Sequence, residues 1–392
     1  MERRRTIAAV GDVADVASWS GIPYHFWRAA TKAAFASDPW RVQLSDISWE
    51  RYVWNGWQLL HGERGGFQYS NWFLTLLEKQ VPRGFYTTEV ITFNQHFPRA
   101  SAITAAGGSL CHFIDAPFAA LASGRGLDLR LPKNVVARAI ELERANYAAS
   151  SRVLTMARWA SEIVIDECEV SPSKVNVVLP GANLELPTDW EFPVKVGRAG
   201  RDRDFVLGFI GADWKRKGLP LLVSVRDHLV ERGWRVSVFA AGNAPADLAS
   251  RKGVKFAGYI DKRTNPEAFL RFLTSTDLGC LFSEHEALGI STLEFLRAGV
   301  PVAGYAHEGM ADTLPPDAGF RFKQGDSAVL VAEQLEAYLK DEPMQNRFQN
   351  NARQWSSLVT WERCVRELQE LWETGKISQP VRPWMGLHAQ KL

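Results

Sequence analysis

The 392-residue sequence has few cysteines, little net charge and no long apolar run, and each shortage excludes a class of protein. Its 4 cysteines are scattered without a CxxC pair, which argues against a zinc site and against a disulfide framework. The formal net charge is only +2, so the composition does not favour a nucleic acid as partner. No stretch approaches the ~20 apolar residues of a membrane-spanning helix, and the amino-terminal MERRRTIAAV lacks the apolar core of a signal peptide. We therefore expect a cytoplasmic protein, either free or peripheral at the inner membrane face.

What the chain does contain is an alternation of strand-like and helix-like segments. Hydrophobic residues make up 46% and charged residues 23% of the sequence, as in globular proteins, and the length suits two domains. Apolar runs such as FVLGFIG alternate with helical segments such as LPLLVSVRDHLVERG, which predicts parallel sheets covered by helices. The predicted fold class is therefore α/β, with two doubly wound Rossmann-like domains whose parallel sheets face an interdomain cleft.

The alternation stops at a polar stretch with prolines and glycines over residues 183–204 and then resumes. This interruption predicts a first domain over residues 1–190, a linker over 191–203 and a second domain over 204–358. Residues 359–392 are predicted to form a helix and tail that cross back to the first domain.

Two glutamates in FSEHEALGISTLEFLRAGVPVAG, residues 282–304, stand where a strand leads through a loop into a helix. Glu286 is predicted in the loop and Glu294 in the first turn of the helix, and Gly289 between them lets the backbone approach a ligand. Two structural interpretations stay open at this point. Ser291 and Glu294 have the spacing of a capping box, and a lone loop glutamate such as Glu286 is often only solvated.

Cationic residues follow the first strand of the second domain at its carboxyl end. That strand ends at Gly211, and the turn ADWKRKG carries Lys215, Arg216 and Lys217. Cations at this place suit a diphosphate, as does the amino end of the helix predicted to start near Ser291, although a solvated basic turn is the structural alternative. A carboxylate beside a bound phosphate would be repelled unless a hydroxyl lay against it. Glutamates on both sides of a phosphate site therefore indicate a nucleotide-sugar.

The chain resembles the retaining glycosyltransferases of family 4, which have the GT-B fold. The resemblance rests on the glutamate pair followed by LRAGVPVAG, on GFIGADWKRKG, and on ERANYAASSRVLTMARWASEIV with KVNVVLPGANLE, and it is strongest from about residue 140 to 310. It implies that Glu294 binds the ribose hydroxyls, Glu286 the transferred sugar and Lys217 the diphosphate. The other donor-binding residues that it implies are Gly21, Gly211, Arg216, Leu288, Gly289 and Ile290.

Two places depart from the family pattern. Ala212 stands where the family usually has an arginine, so we expect Arg216 or Lys215 to take over its phosphate contact. The family also has a histidine after a strand of the acceptor domain, and SLCHFIDAPF offers His112 and Asp115 as candidate catalytic residues beside Glu286. Structural alternatives stay open for both, a buried strand histidine for His112 and a helix cap for Asp115.

The resemblance implies that a sugar moves from a nucleotide-diphosphate sugar to an acceptor hydroxyl with its anomeric configuration kept. The donor would be a UDP-sugar rather than a GDP-sugar, and the acceptor a glycan, a lipid-linked sugar or a small molecule. No DxD-like pair stands in a convincing loop, so cations and a helix end would replace a metal, and no other cofactor is expected. Two alternatives stay open: a GT-B-fold nucleotide-sugar epimerase or phosphorylase, and a non-catalytic homologue that acts as a partner subunit, which Ala212 favours.

Tryptophan is concentrated near the amino terminus. Seven of the 15 tryptophans fall within the first 72 residues: Trp19, Trp27, Trp40, Trp49, Trp54, Trp57 and Trp72. Core packing is the interpretation for most of them. The remainder would stack on an acceptor sugar or rest at a membrane interface.

Overall fold

The computed structural model describes residues 4–62, 65–125, 131–193, 200–243 and 245–390. The chain divides into two compact units. The first contains residues 1–179 and 364–377, and the second contains residues 180–363 and 378–392. Residues 194–199 of the predicted linker lie outside the described residues, so the domain boundaries drawn from the sequence stay predictions.

The first unit is built on a six-stranded parallel sheet with the strand order β2-β1-β3-β4-β5-β6. Its strands are β1 (Arg5–Ala8), β2 (Asp38–Pro39), β3 (Glu89–Thr92), β4 (Ser109–Ile114), β5 (Arg152–Thr155) and β6 (Val175–Val177). The helices up to β6 are α1 (Ile22–Lys32), α2 (Ser48–Leu60), α3 (Asn71–Lys79), α4 (Ala100–Ala105), α5 (Phe118–Ala122), α6 (Lys133–Ala149) and α7 (Arg158–Asp166).

The second unit has its own six-stranded parallel sheet, with the order β12-β11-β10-β7-β8-β9. Its strands are β7 (Phe205–Ile210), β8 (Val236–Ala241), β9 (Val254–Gly258), β10 (Leu278–Leu281), β11 (Val302–Tyr305) and β12 (Gly319–Phe322). The helices that follow β7 are α8 (Leu219–Glu231), α9 (Ala246–Ala249), α10 (Pro266–Thr274), α11 (Ile290–Arg297), α12 (Met310–Thr313), α13 (Ala328–Lys340), α14 (Glu342–Leu358) and α15 (Trp361–Thr374). Two doubly wound parallel sheets were predicted, and the structure confirms them.

Each sheet is buried because helices cover it, which is why its strands read as apolar runs rather than as alternating patterns. In the second unit, all four residues of β10 and all four of β11 are buried. In the first unit, Trp40, Leu74, Phe97 and Leu110 belong to one core cluster. All four cysteines are buried: Cys111, Cys168, Cys280 and Cys364.

Core packing is the wrong interpretation for most of the amino-terminal tryptophans. Only Trp40 is fully buried, at 1% exposure, whereas Trp49 is 72% and Trp57 is 53% exposed. Both exposed rings project from α2, whose only buried residue is Gln58. No helix within the part of the chain that the structure describes is long and apolar enough to span a membrane.

Candidate active site

Two loops of the second unit meet because β7 and β10 are neighbours in its sheet. Their register pairs Leu278 with Leu207, and the chain continues from β7 towards β8 on one side and returns to β10 on the other. This is the point at which an open parallel sheet forms a ligand crevice at the carboxyl ends of its strands. The loop after β7, residues 211–218, and the loop after β10, residues 282–289, both start at this edge.

Backbone contacts fix these two loops to each other. The N–H of Glu284 donates to the carbonyl oxygen of Arg216 at 2.8 Å. Gly218 has φ +79°, and a Cβ at this position would lie 2.2 Å from the carbonyl oxygen of Phe282. A side chain at Gly218 would therefore push the loops apart, and only glycine permits this approach.

Glu286 lies in a cluster with two cations, as the sequence pattern suggested. One of its carboxylate oxygens, Oε2, is 3.1 Å from Lys217 Nζ and 3.5 Å from Arg216 Nη1, and it accepts a 3.0 Å hydrogen bond from Ser283 Oγ. The Glu286 side chain is only 13% exposed. The interpretation of Glu286 as a solvated loop glutamate is therefore wrong.

The backbone of Gly211 leaves the space that Lys217 needs to reach this cluster. A Cβ on Gly211 would lie 2.5 Å from Lys217 Cδ, so the aliphatic part of the lysine passes directly over the glycine. Arg216 is tied down by Asp213, at 3.0 Å from its Nε, and donates to the carbonyl oxygen of His285. Lys215 is exposed. Of the two expected replacements for an arginine at position 212, Arg216 is the one that lies beside Glu286.

Glu294 lies on α11, in the second turn and not in the first as predicted. The helix begins at Ile290 with Gly289 as its N-cap residue in the left-handed region, and no side chain caps it. Ser291 is thus inside the helix, and the capping-box interpretation is wrong. Instead the carboxylate of Glu294, 1% exposed, forms a short ion pair with Lys262.

Burial is the largest influence on the pKa of both carboxyl groups, but with the neighbouring cations the two pKa values shift in opposite directions. At Glu286, the charges of Lys217 and Arg216 and the hydrogen bonds from Lys217 and Ser283 outweigh burial and lower the pKa below 4.5. At Glu294, burial outweighs the charge of Lys262, and the pKa is raised above 4.5. Glu286 is therefore held as a carboxylate, whereas Glu294 takes up a proton at a higher pH.

The residues predicted to line the donor lie at the start of α11. Gly289 has φ +82°, and a Cβ there would lie 2.9 Å from Met310 Cγ. The carbonyl oxygen of Leu288 accepts a 3.2 Å hydrogen bond from Thr313 Oγ1, and Ile290 is half-buried. The structure thus brings Gly211, Arg216, Lys217, Glu286, Leu288, Gly289, Ile290 and Glu294 to one edge of one sheet.

A third loop, after β11, supports the glutamate loop. Glu308 has φ +45°, a conformation that non-glycine residues rarely adopt, and its Oε2 accepts a 2.8 Å hydrogen bond from the N–H of Glu286. A Cβ on Gly309 would lie 2.0 Å from the carbonyl oxygen of Ala287, so these two loops also touch through backbone. The backbone of Glu286 is thereby held in place by a second carboxylate.

The predicted site residues of the first unit lie in its own sheet and loops. His112 is inside β4 with 0% exposure, its Nδ1 is 3.0 Å from the carbonyl oxygen of Asn94, and burial lowers its pKa to about 3. This placement favours the alternative of a buried strand histidine. A catalytic role for His112 stays a prediction.

Asp115 follows the end of β4 and is half-buried. Its Oδ1 accepts a hydrogen bond at 2.8 Å from the adjacent N–H of Ala116. The N-cap residue of α5 is Pro117, which makes no capping hydrogen bond through its side chain. The helix-cap interpretation of Asp115 is therefore wrong, because Glu143 on α6 accepts from the first N–H groups of α5, those of Phe118 and Ala119. The catalytic role of Asp115 stays a prediction.

Gly21 closes the loop that follows β1. It is the N-cap residue of α1 with φ +86°, and a Cβ added at this position would lie 3.1 Å from the carbonyl oxygen of Val16. Trp19 and Ser20 just before it also have positive φ angles, of 50° and 58°. Two such residues in succession mark a strained loop, and strain of this kind is typical of functional sites. The contact of Gly21 with a donor stays a prediction.

Comparisons with known proteins identify the architecture. Residues 195–355, which contain the whole site of the second unit, match the family model described as Glycosyl transferases group 1. Sucrose-phosphate synthase from Thermosynechococcus elongatus superimposes with a TM-score of 0.62 at 14% identity, over 94% of this chain and 98% of that chain. HepE from Anabaena, solved in complex with UDP and glucose, gives 0.61 at 14% identity, over 95% of this chain and 100% of its own. The fold is GT-B.

Sequence relatives match a smaller part of the GT-B chain. Glycogen synthase from Thermotoga petrophila is 28% identical over 208 residues, which are 48% of this chain and 42% of the relative. This chain thus spans less than half the length of the curated relative. The group 1 domain and the GT-B fold are established, whereas the activity of the whole protein is a proposal.

Two residues of the GT-B site could not be found from the family resemblance. Lys262 pairs with Glu294, and Glu308 holds the backbone of Glu286. Lys262 follows β9 and Glu308 follows β11, each at a strand's carboxyl end. That position is the signal that a search for polar residues after each predicted strand would have used. Among the described residues, no group of three or more histidine, cysteine, aspartate or glutamate side chains could hold a metal ion.

Proposed function

We propose that the protein is a retaining glycosyltransferase of family 4, which transfers a sugar from a nucleotide-diphosphate sugar to an acceptor hydroxyl. The observation that carries this proposal is the cluster of Glu286, Lys217 and Arg216 at the meeting point of β7 and β10, with Glu294 on the adjoining helix. The group 1 domain over residues 195–355 supports it.

The cluster has the charges that a departing diphosphate requires. Lys217 and Arg216 supply two positive charges, and the uncapped amino end of α11 adds backbone donors and the positive end of a helix dipole. Glu286 balances one of these charges. These groups would stabilise the charge that develops on the leaving diphosphate, so we propose that the reaction does not depend on a metal ion.

The two glutamates would take different parts of the donor. We propose that Glu286, ionised and beside the cations, accepts hydrogen bonds from hydroxyls of the transferred sugar next to the diphosphate. Glu294 would accept from the ribose hydroxyls. Because Lys262 covers a carboxylate that is only 1% exposed, the ribose reaches Glu294 when this flexible lysine, itself 27% exposed, moves aside or shares the carboxylate.

The neighbouring proteins favour particular donors and acceptors. The GT-B neighbour from Anabaena was solved with UDP and glucose, which favours a UDP-sugar over a GDP-sugar. The names of two relatives, glycogen synthase and a capsular polysaccharide biosynthesis glycosyltransferase, favour a glycan or lipid-linked acceptor. We propose that the reaction takes place in the cytoplasm, with the acceptor either free or at the inner membrane face.

Substitution of each glutamate by glutamine tests the division of roles. Glu294→Gln is expected to weaken UDP binding by about 1 kcal/mol, roughly fivefold, because a charged hydrogen bond to the ribose becomes a neutral one. Glu286→Gln is expected to leave UDP affinity unchanged or slightly tighter, since Lys217 is released from its carboxylate, while turnover of the sugar donor falls.

The measurements are calorimetric titration with UDP and GDP, and turnover of a panel of UDP- and GDP-sugars with and without acceptor. Glu284→Gln is the matched control, because Glu284 is in the same loop but exposed. Unchanged UDP affinity in Glu294→Gln together with unchanged turnover in Glu286→Gln would show that the donor site is elsewhere. Donor turnover that needs no acceptor would favour an epimerase, and UDP binding without any turnover would favour a non-catalytic subunit.

A further inference from the structure

A pocket of about 340 Å³ lies in the first unit, separate from the residues that the proposed donor site uses. It is lined by residues of α2, of the turn over Phe67–Tyr69 and of the start of α6, and it is open to solvent. Its volume falls at the lower end of the roughly 300–1,000 Å³ of small-molecule sites. The backbone just before Phe67 approaches α6 closely because residue 66 is glycine. A Cβ on Gly66 would lie 2.9 Å from two methyl carbons of Val135.

Aromatic rings form one wall of the pocket. Trp54 and Trp57 have their ring centroids 6.0 Å apart at an interplanar angle of 47°, and Tyr69 lines the pocket as well. The indole N–H of Trp54 already donates to the carbonyl oxygen of Gly65 at 3.0 Å, and one side of Trp57 is covered by His61 at 4.3 Å. What these two tryptophans offer to a ligand is therefore an apolar ring face, set at an angle that does not suit a flat ring inserted between them.

A buried amide supplies the polar side of the pocket. Gln58 is 3% exposed, is the only buried residue of α2 and lines the cavity. Within the described ranges its side chain has no hydrogen-bond partner. Because Gln58 lines the cavity, its amide oxygen and its NH₂ group are both available to a ligand there.

A cation stands at the edge of the same pocket. Arg138, on α6, is exposed, and among the residues that the structure describes it has neither an ion pair nor a hydrogen bond. Its guanidinium can hold a carboxylate or a phosphate by two parallel hydrogen bonds. The pocket therefore combines apolar ring faces, an amide with one donor and one acceptor side, and an unpaired positive charge.

We propose that this pocket binds one sugar ring that carries an acidic substituent. A pyranose has an apolar C–H face that stacks on Trp57 or Trp54, and neighbouring hydroxyls that can donate to and accept from Gln58. The acidic group would pair with Arg138. Only the further step, that this sugar belongs to the acceptor, depends on the proposed glycosyltransferase activity.

Ligand-observed NMR and titration with free sugars test the pocket directly. The probes are methyl glucoside, glucuronic acid and glucose 6-phosphate at millimolar concentration, so that a neutral ring, a carboxylate and a phosphate are compared. We expect the two acidic sugars to bind more tightly than methyl glucoside. Arg138→Gln should remove that preference and leave binding of methyl glucoside unchanged, and Lys133→Gln, exposed on the same helix, should remove nothing.

The aromatic wall is tested by Trp57→Ala, with Trp49→Ala as the matched control on the same helix, since Trp49 is 72% exposed and does not line the pocket. Trp57→Ala is expected to weaken all three sugars about tenfold, and Trp49→Ala to leave them within a factor of two. Melting curves check that both variants fold. A Gln58→Leu variant should also lose the sugars, because leucine has a similar volume and no polar atoms.

Binding of UDP to the same variants separates this proposal from the proposed function. If UDP binds normally but no sugar does, or if sugars bind equally to the Trp57→Ala and Trp49→Ala variants, the pocket proposal is wrong and the donor site is unaffected. If sugars bind in the expected pattern while UDP fails to bind, the pocket proposal stands and the proposed function is wrong. Binding of the unsubstituted protein to neutral phosphatidylcholine vesicles, lost in Trp57→Ala, without any sugar binding would instead identify the α2 surface as a membrane contact and overturn the proposal.

Discussion

The buried carboxyl group of Glu143 should make the stability of the protein depend on pH in a predictable direction. Glu143, on α6, is 0% exposed, and its oxygens accept from the N–H of Ala119 at 3.0 Å, from the N–H of Phe118 and from Tyr147 Oη at 2.9 Å. Burial raises its pKa from 4.5 to about 7 against these hydrogen bonds. Two physical effects thus compete at one group, and an experiment can decide between them.

The sign follows from the protons that each state binds. Between pH 4.5 and about 7 the folded protein keeps the proton on Glu143, whereas the unfolded chain has released it. The contribution to the free energy of unfolding is therefore fully present below pH 4.5 and is lost as the pH rises to about 7. At 1.36 kcal/mol for each pH unit, the loss approaches ~3 kcal/mol.

The assay is urea unfolding of the unsubstituted protein and of Glu143→Gln at four pH values from 5 to 8. Glutamine cannot titrate, so the stability of the unsubstituted protein relative to the variant should fall by about 2–3 kcal/mol between pH 5 and pH 8. His96 and His112, whose pKa values burial lowers to about 4 and about 3, add an opposite slope, which is common to both proteins and cancels in the difference. Glu141→Gln, on the exposed side of the same helix, is the control and should show no such change. A difference that stays constant over this range would mean that its hydrogen-bond donors keep Glu143 ionised, and the reasoning from burial would be refuted.

Two further predictions concern the second unit. Turnover is expected to survive EDTA, because Lys217, Arg216 and the amino end of α11 take the place of a metal, and activity that is lost in EDTA and restored by magnesium or manganese would contradict this. Gly289→Ala is expected to weaken UDP binding and to lower stability by about 2 kcal/mol or more, because its φ of +82° is unfavourable for alanine and its Cβ would lie 2.9 Å from Met310 Cγ. Gly325→Ala, at φ +88° in open space, should cost only about 1 kcal/mol and leave UDP affinity unchanged, and equal effects of the two substitutions would show that the contact with Met310 is unimportant.

Sequence reasoning succeeded where local pattern and chain order carry the information. The apolar run before Gly211 and the run before Phe282 predicted two strands, and the rules for parallel sheets placed their loops at one edge, as the register of Leu278 with Leu207 confirms. The contact of Glu286 with Lys217 follows from that placement. This contact could not have been found from sequence spacing alone, because 68 residues lie between Lys217 and Glu286.

Sequence reasoning failed where a residue distant in the sequence makes a contact that a nearby residue was predicted to make. The spacing of Ser291 and Glu294 predicted a local cap, but Gly289 adopts the N-cap position and Lys262 takes the carboxylate. In the same way Asp115 stands where a cap for α5 was expected, and Glu143 on α6 supplies it instead. The prediction of core packing for the tryptophans of α2 was wrong for another reason. Tryptophan is buried more often than exposed, and only the fold reveals that Trp49 and Trp57 lie outside the core.

The four buried thiols give this protein a built-in probe of local opening. A small alkylating reagent reaches Cys111 in β4 or Cys280 in β10 only when the packing around that strand opens, so the rate of modification at each position measures the opening of one unit. Peptide mass spectrometry can follow both positions in a single sample without any added label. If a nucleotide binds to the second unit alone, it should slow the modification of Cys280 while the rate at Cys111 stays the same, and the chain itself would then report which of its two sheets holds the ligand.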